Sequence, residues 1–160
     1  MRIDSMQNGA LPCGFTLVEV LVVMVVMAVG LLGGVALLLD GVRASRIAIQ
    51  QTGAVNLAAD LGDRIRANRA AGQAYALGAG TVLPPPAKAC LATGECDTRD
   101  VAARDLYEWQ QATLSALPGA RTSVRVAPAA ALPANVYQIL IEWTQAGRST
   151  HAQFALTVQA

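Results

Sequence analysis

The stretch 14-GFTLVEVLVVM-24 places a single carboxylate at the start of a long apolar run. Residues 20–39 carry no charged and no strongly polar side chain, which is about the 20 residues that a helix needs to cross the hydrocarbon core of a bilayer. An ionised group deep in that core costs roughly 2.5–3.5 kcal/mol, and less near the interface. Glu19 therefore lies where a charge is unfavourable unless it is paired.

The composition of the chain indicates one membrane segment and one small folded domain. Of its 160 residues, 54% are hydrophobic and 14% charged, compared with about 25% charged in typical soluble domains. The net charge of +1 provides no strong field for nucleic acid, and we expect no nucleic-acid partner. The apolar run is longer than the roughly 7–15 residues of a cleaved secretory signal, so we expect it to stay in the mature protein.

Glycines at positions 30, 33 and 34 interrupt this run. In membrane helices such glycines more often mark close packing between helices, and local unwinding is the alternative. The sequence leaves both interpretations open.

Glu19 has no possible basic partner within its own membrane segment. The sequence contains no Lys, Arg or His between Arg2 and Arg43. A new α-amino group close to Glu19 in the sequence could be its positive partner, because such a group is mostly protonated at neutral pH. A cut immediately before Phe15 would create one.

The residues Gly14-Phe15-Thr16-Leu17-Val18-Glu19, followed by a long apolar helix, resemble the class III signal of type IV pilins and pseudopilins. The resemblance implies that a prepilin peptidase cuts between Gly14 and Phe15 and methylates the new amino terminus. Residues 1–14 would then be a leader peptide and Phe15 the N-methylated first residue. The resemblance also implies that Glu19 forms an assembly salt bridge with the amino terminus of a neighbouring subunit.

The orientation in the membrane follows from the resemblance alone. Arg2 and Asp4 precede the apolar run, whereas Arg43 and Arg46 follow it, so the distribution of basic residues does not define an N-in topology. The family implies a single-pass protein of the inner membrane, with its amino terminus in the cytoplasm of a Gram-negative bacterium. After assembly it would belong to a fibre or fibre tip at the cell surface.

The helix is expected to continue beyond the membrane. We predict a transmembrane half over residues 15–39 and a periplasmic half over residues 40–72, which carries an apolar stripe at helical spacing. The stripe comprises Leu57, Leu61 and Ile65, with Val55, Ala58 and Ala59 beside them.

Charged residues on the same helix are spaced for surface ion pairs. Asp60 and Arg64 are four positions apart, and Asp63 and Arg66 are three apart. The basic residues in this region, with Arg69, indicate a solvated helix face rather than a nucleic-acid site, because aspartates interleave them and no aromatic residue is near.

Residues 73–160 are predicted to form a globular head that begins in a loop over residues 77–96. Cys90 and Cys96 remain as an even pair once the leader, with Cys13, is removed. We predict a Cys90–Cys96 disulfide, because the periplasmic side of the membrane is oxidising. A metal site is the alternative, but the spacing and the single distant histidine do not provide four ligands. No metal and no cofactor is therefore expected.

The rest of the head reads as one short helix and an antiparallel sheet. Residues 100–119 have helical periodicity that ends at Pro118-Gly119. Residues 136–144 alternate as a strand with Tyr137, Ile139, Ile141 and Trp143 on one face. The tetrad 145-QAGR-148 would turn the chain into a second strand with Ala152, Phe154, Leu156 and Val158 on one face, and residues 121–126 would add a third. The predicted fold class is α+β, a pilin-like long helix packed on a small antiparallel sheet.

Three further strings resemble the PilV-type minor pilins, the type IV pilus modification proteins. They are 57-LAADLGDRIRANRAAG-72, 105-DLYEWQQATLSALPGA-120 and 137-YQILIEW-143. The residues that match the group's pattern are Asp60, Arg64, Ile65, Arg66, Ala67, Asn68, Arg69 and Trp143.

The resemblance implies a minor pilin that helps to prime pilus assembly and joins a low-copy tip complex, supporting twitching motility and adhesion. The implied partners are other minor pilins, the major pilin, the prepilin peptidase and the inner-membrane assembly platform.

Two other functions are alternatives. A minor pseudopilin of a type II secretion system would share the signal and the fold, although Asp97 and Asp100 are too few for the calcium site that such heads often carry. A membrane-anchored periplasmic enzyme is disfavoured, because the sequence has one histidine and no G-x-S-x-G motif. No catalytic residue is predicted.

N-terminal mass spectrometry of the protein from membranes tests the cleavage site. With active prepilin peptidase present we expect a mature chain that starts at Phe15 with a methylated amine, and without the peptidase a chain that retains residues 1–14. Retention of these residues in the presence of active peptidase would contradict the assignment.

Overall fold

The computed structural model describes residue 14 and residues 16–87, 96–128, 134–145 and 151–160. It contains two compact units, Met1–Val42 and Arg43–Ala160. Its elements in chain order are α1 (Leu17–Ala67), a 3-10 helix (Arg69–Tyr75), α2 (Thr98–Ala116), β1 (Arg121–Pro128), β2 (Asn135–Thr144) and β3 (His151–Gln159).

The described part of the first unit is the start of α1. Every described residue from Thr16 to Val42 is exposed. By length and composition, α1 contains one stretch that could cross a membrane. Thr16 caps its first turn, since the Glu19 backbone N–H donates to Thr16 Oγ1 at 3.3 Å and to the Thr16 carbonyl at 3.0 Å.

In the second unit, α1 buries a stripe that is shifted from the predicted one. The buried residues are Ala54, Ala58, Leu61, Gly62 and Ile65. Leu57 is only half-buried, and Val55 and Ala59 are exposed. The reason is that the close approach to the sheet requires small side chains: a Cβ at Gly62 would lie 3.0 Å from Val158 Cγ2.

The α-helix ends at Ala67, earlier than the predicted end at Gly72. The chain continues as the 3-10 helix, within which Gly72 has a φ of +50°. Only glycine adopts this left-handed backbone readily, so Gly72 redirects the chain.

Helix α2 begins with a capping box. The Asp97 side chain accepts hydrogen bonds from the backbone N–H groups of Arg99 and Asp100, and the Asp100 side chain accepts one from the Asp97 N–H. The helix ends at Ala116, just before Pro118-Gly119, as the sequence predicts. Its buried residues are Ala102, Leu106, Trp109, Gln110 and Thr113.

The sheet has the order β1-β2-β3, with both pairs antiparallel. The predicted alternation of β2 is confirmed, because Tyr137, Ile139, Ile141 and Trp143 are all buried. They join the apolar residues of α1 and α2 in one core, so that the sheet has one face on the helices. The predicted turn at residues 145–148 lies largely outside the described residues.

The segment after the 3-10 helix covers part of the β1 edge. Leu77 and Val124 exchange two backbone hydrogen bonds of 2.9 Å, and the Gly80 N–H donates to the Thr122 carbonyl. Buried Gln110 holds this segment against α2, since its amide donates to the Thr81 carbonyl at 2.7 Å and its Oε1 accepts from the Leu83 N–H at 2.8 Å.

The chain's two tryptophans form a matched pair for testing how α2 is held on α1. Both are almost fully buried, but Trp109 Nε1 donates to the Leu57 carbonyl at 2.8 Å, whereas Trp143 Nε1 has no partner among the described residues. Each substitution by phenylalanine creates a cavity, and only Trp109→Phe also removes a hydrogen bond.

We therefore expect Trp109→Phe to lower the free energy of unfolding by about 1 kcal/mol more than Trp143→Phe. The measurement is chemical unfolding of the full chain in detergent, followed by fluorescence of the one remaining tryptophan. Equal losses, or a larger loss for Trp143→Phe, would contradict this role of Trp109.

Candidate assembly site

Glu19 lies in the first turn of α1, at the edge of a shallow apolar groove. The groove is lined by Glu19, Val20, Val23, Met24 and Met27 and has a volume of about 340 Å³. The unpaired N–H groups at a helix N-terminus favour a negative side chain there. The helix therefore stabilises the Glu19 carboxylate only in part and leaves it on an apolar surface.

Within the described part of the first unit, no basic residue accompanies this carboxylate. The sequence itself places the nearest basic residues at Arg2 and Arg43. A charge on an apolar helix surface is tolerated in lipid when an opposite charge neutralises it. The arrangement can thus bind one amine together with an apolar segment that fills the groove.

The structure leaves the other predicted site residues separate from Glu19 or outside the described part. Gly14 is exposed, with open space around it, and Phe15 lies outside the described residues. Cleavage and N-methylation at this bond therefore stay predictions.

The predicted disulfide also remains untested. Cys96 is half-buried just before the Asp97 cap of α2, whereas Cys90 lies outside the described residues. In the part of the chain that the structure describes, no three His, Cys, Asp or Glu residues are grouped as a metal site would require.

A charged cluster joins the head half of α1 to α2. We define the Arg64 cluster as Asp60, Arg64, Arg104, Asp105 and Glu108. Arg64 Nε donates to Asp60 Oδ2 at 3.0 Å, and its Nη1 lies 3.1 Å from Glu108 Oε2 and 3.4 Å from Asp105 Oδ1. The predicted pair with Asp60 is confirmed, while the two bonds to α2 were not expected.

Arg104 completes the cluster by donating to Glu108 Oε1 at 2.7 Å. The Arg104–Glu108 bond and the Arg64 bond together lower the pKa of Glu108, although partial burial opposes them. Burial alone would lower the pKa of Arg64, but the hydrogen bonds and charges of Glu108, Asp60 and Asp105 raise it overall. The cluster is therefore an interhelical ion network, not the purely solvated face predicted for Arg64.

Tyr75 extends this network into the core. Its hydroxyl donates to Asp105 Oδ2 at 2.7 Å and accepts from Asn68 Nδ2 at 3.3 Å. Burial and the Asp105 bond raise the pKa of Tyr75, so it stays protonated as a donor. Asn68 also donates to the Thr98 carbonyl at 2.8 Å, which ties the end of α1 to the start of α2.

Two features of these sites were missed in the sequence. The T-x-x-E spacing of Thr16 and Glu19 is the spacing of a capping box, and it signals the cap that the structure shows. The i,i+4 spacing of Arg104 and Glu108 signals their ion pair. No local spacing signals the bonds from Arg64, since Asp105 and Glu108 lie in another helix.

Comparison with known families matches two adjoining parts of the chain. A family model described as prokaryotic N-terminal methylation motif matches residues 12–35, and a model described as type IV pilin Tt1218 matches residues 36–107. The first includes Glu19, and the second includes every member of the Arg64 cluster except Glu108. None of the curated proteins and none of the solved structures is similar enough to count as a match.

The Arg64 cluster predicts unequal effects for two neighbouring arginines. Arg64→Met leaves the carboxylates of Asp105 and Glu108 without this partner, whereas Arg66→Met removes only the exposed bond to Asp63 at 2.7 Å. We expect a loss of about 1–2 kcal/mol in the free energy of unfolding for Arg64→Met and less than about 0.5 kcal/mol for Arg66→Met. Tryptophan fluorescence of the full chain in detergent during chemical unfolding measures both.

The pH dependence provides the control. A carboxyl whose pKa is lowered in the folded state contributes stability above its usual pKa, and this contribution is lost as the pH falls through the lowered value. The free energy of unfolding should therefore fall in acid as the contribution of Glu108 is lost. This fall should be smaller in Arg64→Met than in the wild-type chain. Equal stability of the two variants at neutral pH, with identical acid dependence, would show that the cluster does not hold the helices together.

Proposed function

We propose that this chain is a type IV pilin, as the two family models that match residues 12–35 and 36–107 support, and more specifically a minor pilin that helps to prime fibre assembly and enters a low-copy complex at the pilus tip. Pilin-family proteins are structural subunits, and assembly with other pilins follows from the family. The minor-pilin role, with its contribution to twitching motility and adhesion, goes beyond the family assignment.

The observation that carries the proposal is the exposed carboxylate of Glu19 on an otherwise apolar helix. Every described residue from Thr16 to Val42 is exposed, so this surface has to be covered by lipid or by other helices. Lipid covers the apolar side chains but cannot neutralise Glu19. Only an assembly of such helices provides both an apolar environment and, through a neighbour's amino terminus, a positive charge.

The proposed mechanism is mechanical. Prepilin peptidase cuts between Gly14 and Phe15 on the cytoplasmic side and methylates the Phe15 amine. The assembly platform then moves the subunit out of the inner membrane. Glu19 accepts the amino terminus of a neighbouring subunit and so fixes the axial register of the two helices, a role that single polar groups have in other apolar helix seams.

The minor-pilin assignment rests on two strings that the structure brings together. Asp60, Arg64 and Asn68 come from the end of α1, and Asp105 and Glu108 come from the DLYE string of α2. Arg64 bonds directly to Asp105 and Glu108, and Asn68 is linked to Asp105 through the Tyr75 hydroxyl. The likeness to PilV-type minor pilins therefore covers a connected part of the head rather than unrelated short matches.

Replacement of Glu19 tests the proposal. We expect Glu19→Ala and Glu19→Gln to insert in the membrane and to be processed normally, since removing a charge favours insertion. Incorporation into sheared fibres should fall at least about tenfold, because loss of one partner of a desolvated charge pair costs about 2–5 kcal/mol. Val22→Ala, an apolar change on the same exposed helix, should assemble normally.

The readout is quantitative mass spectrometry of the chain in sheared fibres relative to membranes. Normal incorporation of both Glu19 variants would contradict the register role. Recovery of the wild-type chain only with components of a type II secretion system would indicate that it is a minor pseudopilin and not a minor pilin.

A further inference from the structure

Among the described residues, no segment pairs with the outer edge of β3. From its geometry we infer that it binds an extended, uncharged segment of another pilus subunit as a fourth strand. The identity of this partner rests on the proposed function, whereas the accessibility of the edge does not.

The hydrogen-bond register shows which backbone groups face outward. Asn135 and Ala160 exchange two backbone bonds, of 3.0 and 3.1 Å. In an antiparallel pair such bonded pairs alternate, so Val158, Leu156 and the further even-numbered residues of β3 bond to β2. The odd-numbered residues direct their N–H and C=O groups away from β2. They are His151, Gln153, Ala155, Thr157 and Gln159, and all are exposed.

The opposite edge of the same sheet, on β1, is partly covered by another segment of the chain. On β1, Leu77 and Gly80 contribute three backbone hydrogen bonds to Val124 and Thr122. Pro128, which has no N–H, ends that strand. Among the described residues, no backbone group bonds to the outer edge of β3.

The sequence of β3 also lacks the usual protection against strand pairing. Edge strands are commonly blocked by Lys, by proline, by inward-pointing charges or by a bulge. The segment 151-HAQFALTVQ-159 contains no proline, no lysine and no acidic residue, and it pairs with β2 without a bulge. A nine-residue accessible edge without these features is suited to binding another strand.

Side chains along the edge define the chemistry of the partner. Phe154 and Leu156 point to the helix side of the sheet but are only half-buried, at the border of the core. A fourth strand with apolar side chains at every second position would cover them. Gln153 and Thr157 on the other face favour uncharged polar neighbours, because an added charge would find no opposite charge on this strand. The partner segment is therefore uncharged and alternating.

A second copy of this chain is the main alternative occupant, because β3 is itself an uncharged strand with alternating apolar residues. A crosslink between two copies would distinguish that arrangement from pairing with a different subunit.

The test uses a proline at an outward-facing position. In Ala155→Pro the lost N–H is one that faces away from β2, so the β2–β3 ladder is kept while the edge is blocked. Ala155→Ser is the matched control. The tagged full chain is extracted in detergent from cells that make the pilus, and the pilus subunits that copurify are quantified by mass spectrometry.

We expect at least about a tenfold loss of one copurifying pilus subunit in Ala155→Pro and no loss in Ala155→Ser, because the proline removes a main-chain bond and its ring occupies the edge. Unchanged recovery with Ala155→Pro would overturn the inference and leave the proposed function intact. Failure of the wild-type chain to copurify any pilus subunit would instead overturn the proposed function.

A photo-crosslinking residue at Thr157 keeps the inference testable if Ala155→Pro does not fold. Its control is the same residue at Gln111, which is exposed on α2. We expect an adduct from position 157, and not from 111, that maps to an uncharged, extended segment of another pilus subunit. Adducts to a second copy of this chain, to lipid only, or to nothing would overturn the inference.

Discussion

The Glu19 carboxylate has no basic partner in the described part of its own unit, and this is the constraint on which the proposed assembly depends. The described part of the first unit is exposed along its whole length, and Glu19 is its only charge before Asp40. A single chain in lipid has two unfavourable options, to keep the charge unpaired or to neutralise it by protonation. Under the proposed function, bundling with other helices would change this, because a neighbour's amine would then lie in the same apolar environment. The group that is unfavourable in the monomer would thus favour polymerisation.

Under the proposed function, the head would have a separate requirement, which is to keep its shape while subunits are moved. Its core is closed by a few directional contacts between α1 and α2. Trp109 donates into the backbone of α1, and Arg64 joins both helices through Asp105 and Glu108. These bonds hold α2 to the head half of α1. The two surfaces proposed for assembly, Glu19 in the first unit and the β3 edge in the second, would use different chemistry: charge neutralisation in an apolar environment and main-chain pairing.

Much of this fold was predictable from the sequence, because its signals are local. The alternation from Tyr137 to Trp143 gave β2 its buried face, and Pro118-Gly119 marked the end of α2. The buried stripe of α1 was predicted correctly at Ala58, Leu61 and Ile65 but wrongly at Val55 and Ala59, since periodicity alone does not show that the sheet approaches at Gly62. The partners of Arg64 in α2 could not be predicted, because they depend on how two distant helices pack. Glu19 was identified because an acid within an apolar run conflicts with its surroundings.

The distance between the Glu19 carboxylate and the amino terminus of a neighbouring subunit tests the central claim most directly. It can be measured in assembled fibres or tip complexes by solid-state NMR, with the carboxyl carbon labelled in this chain and the amine nitrogen labelled in the other subunits. We predict a dipolar coupling between subunits that corresponds to an ion pair, with an N–O separation of about 4 Å or less. No coupling to any neighbour, or coupling only to the amine of the same chain, would contradict the account.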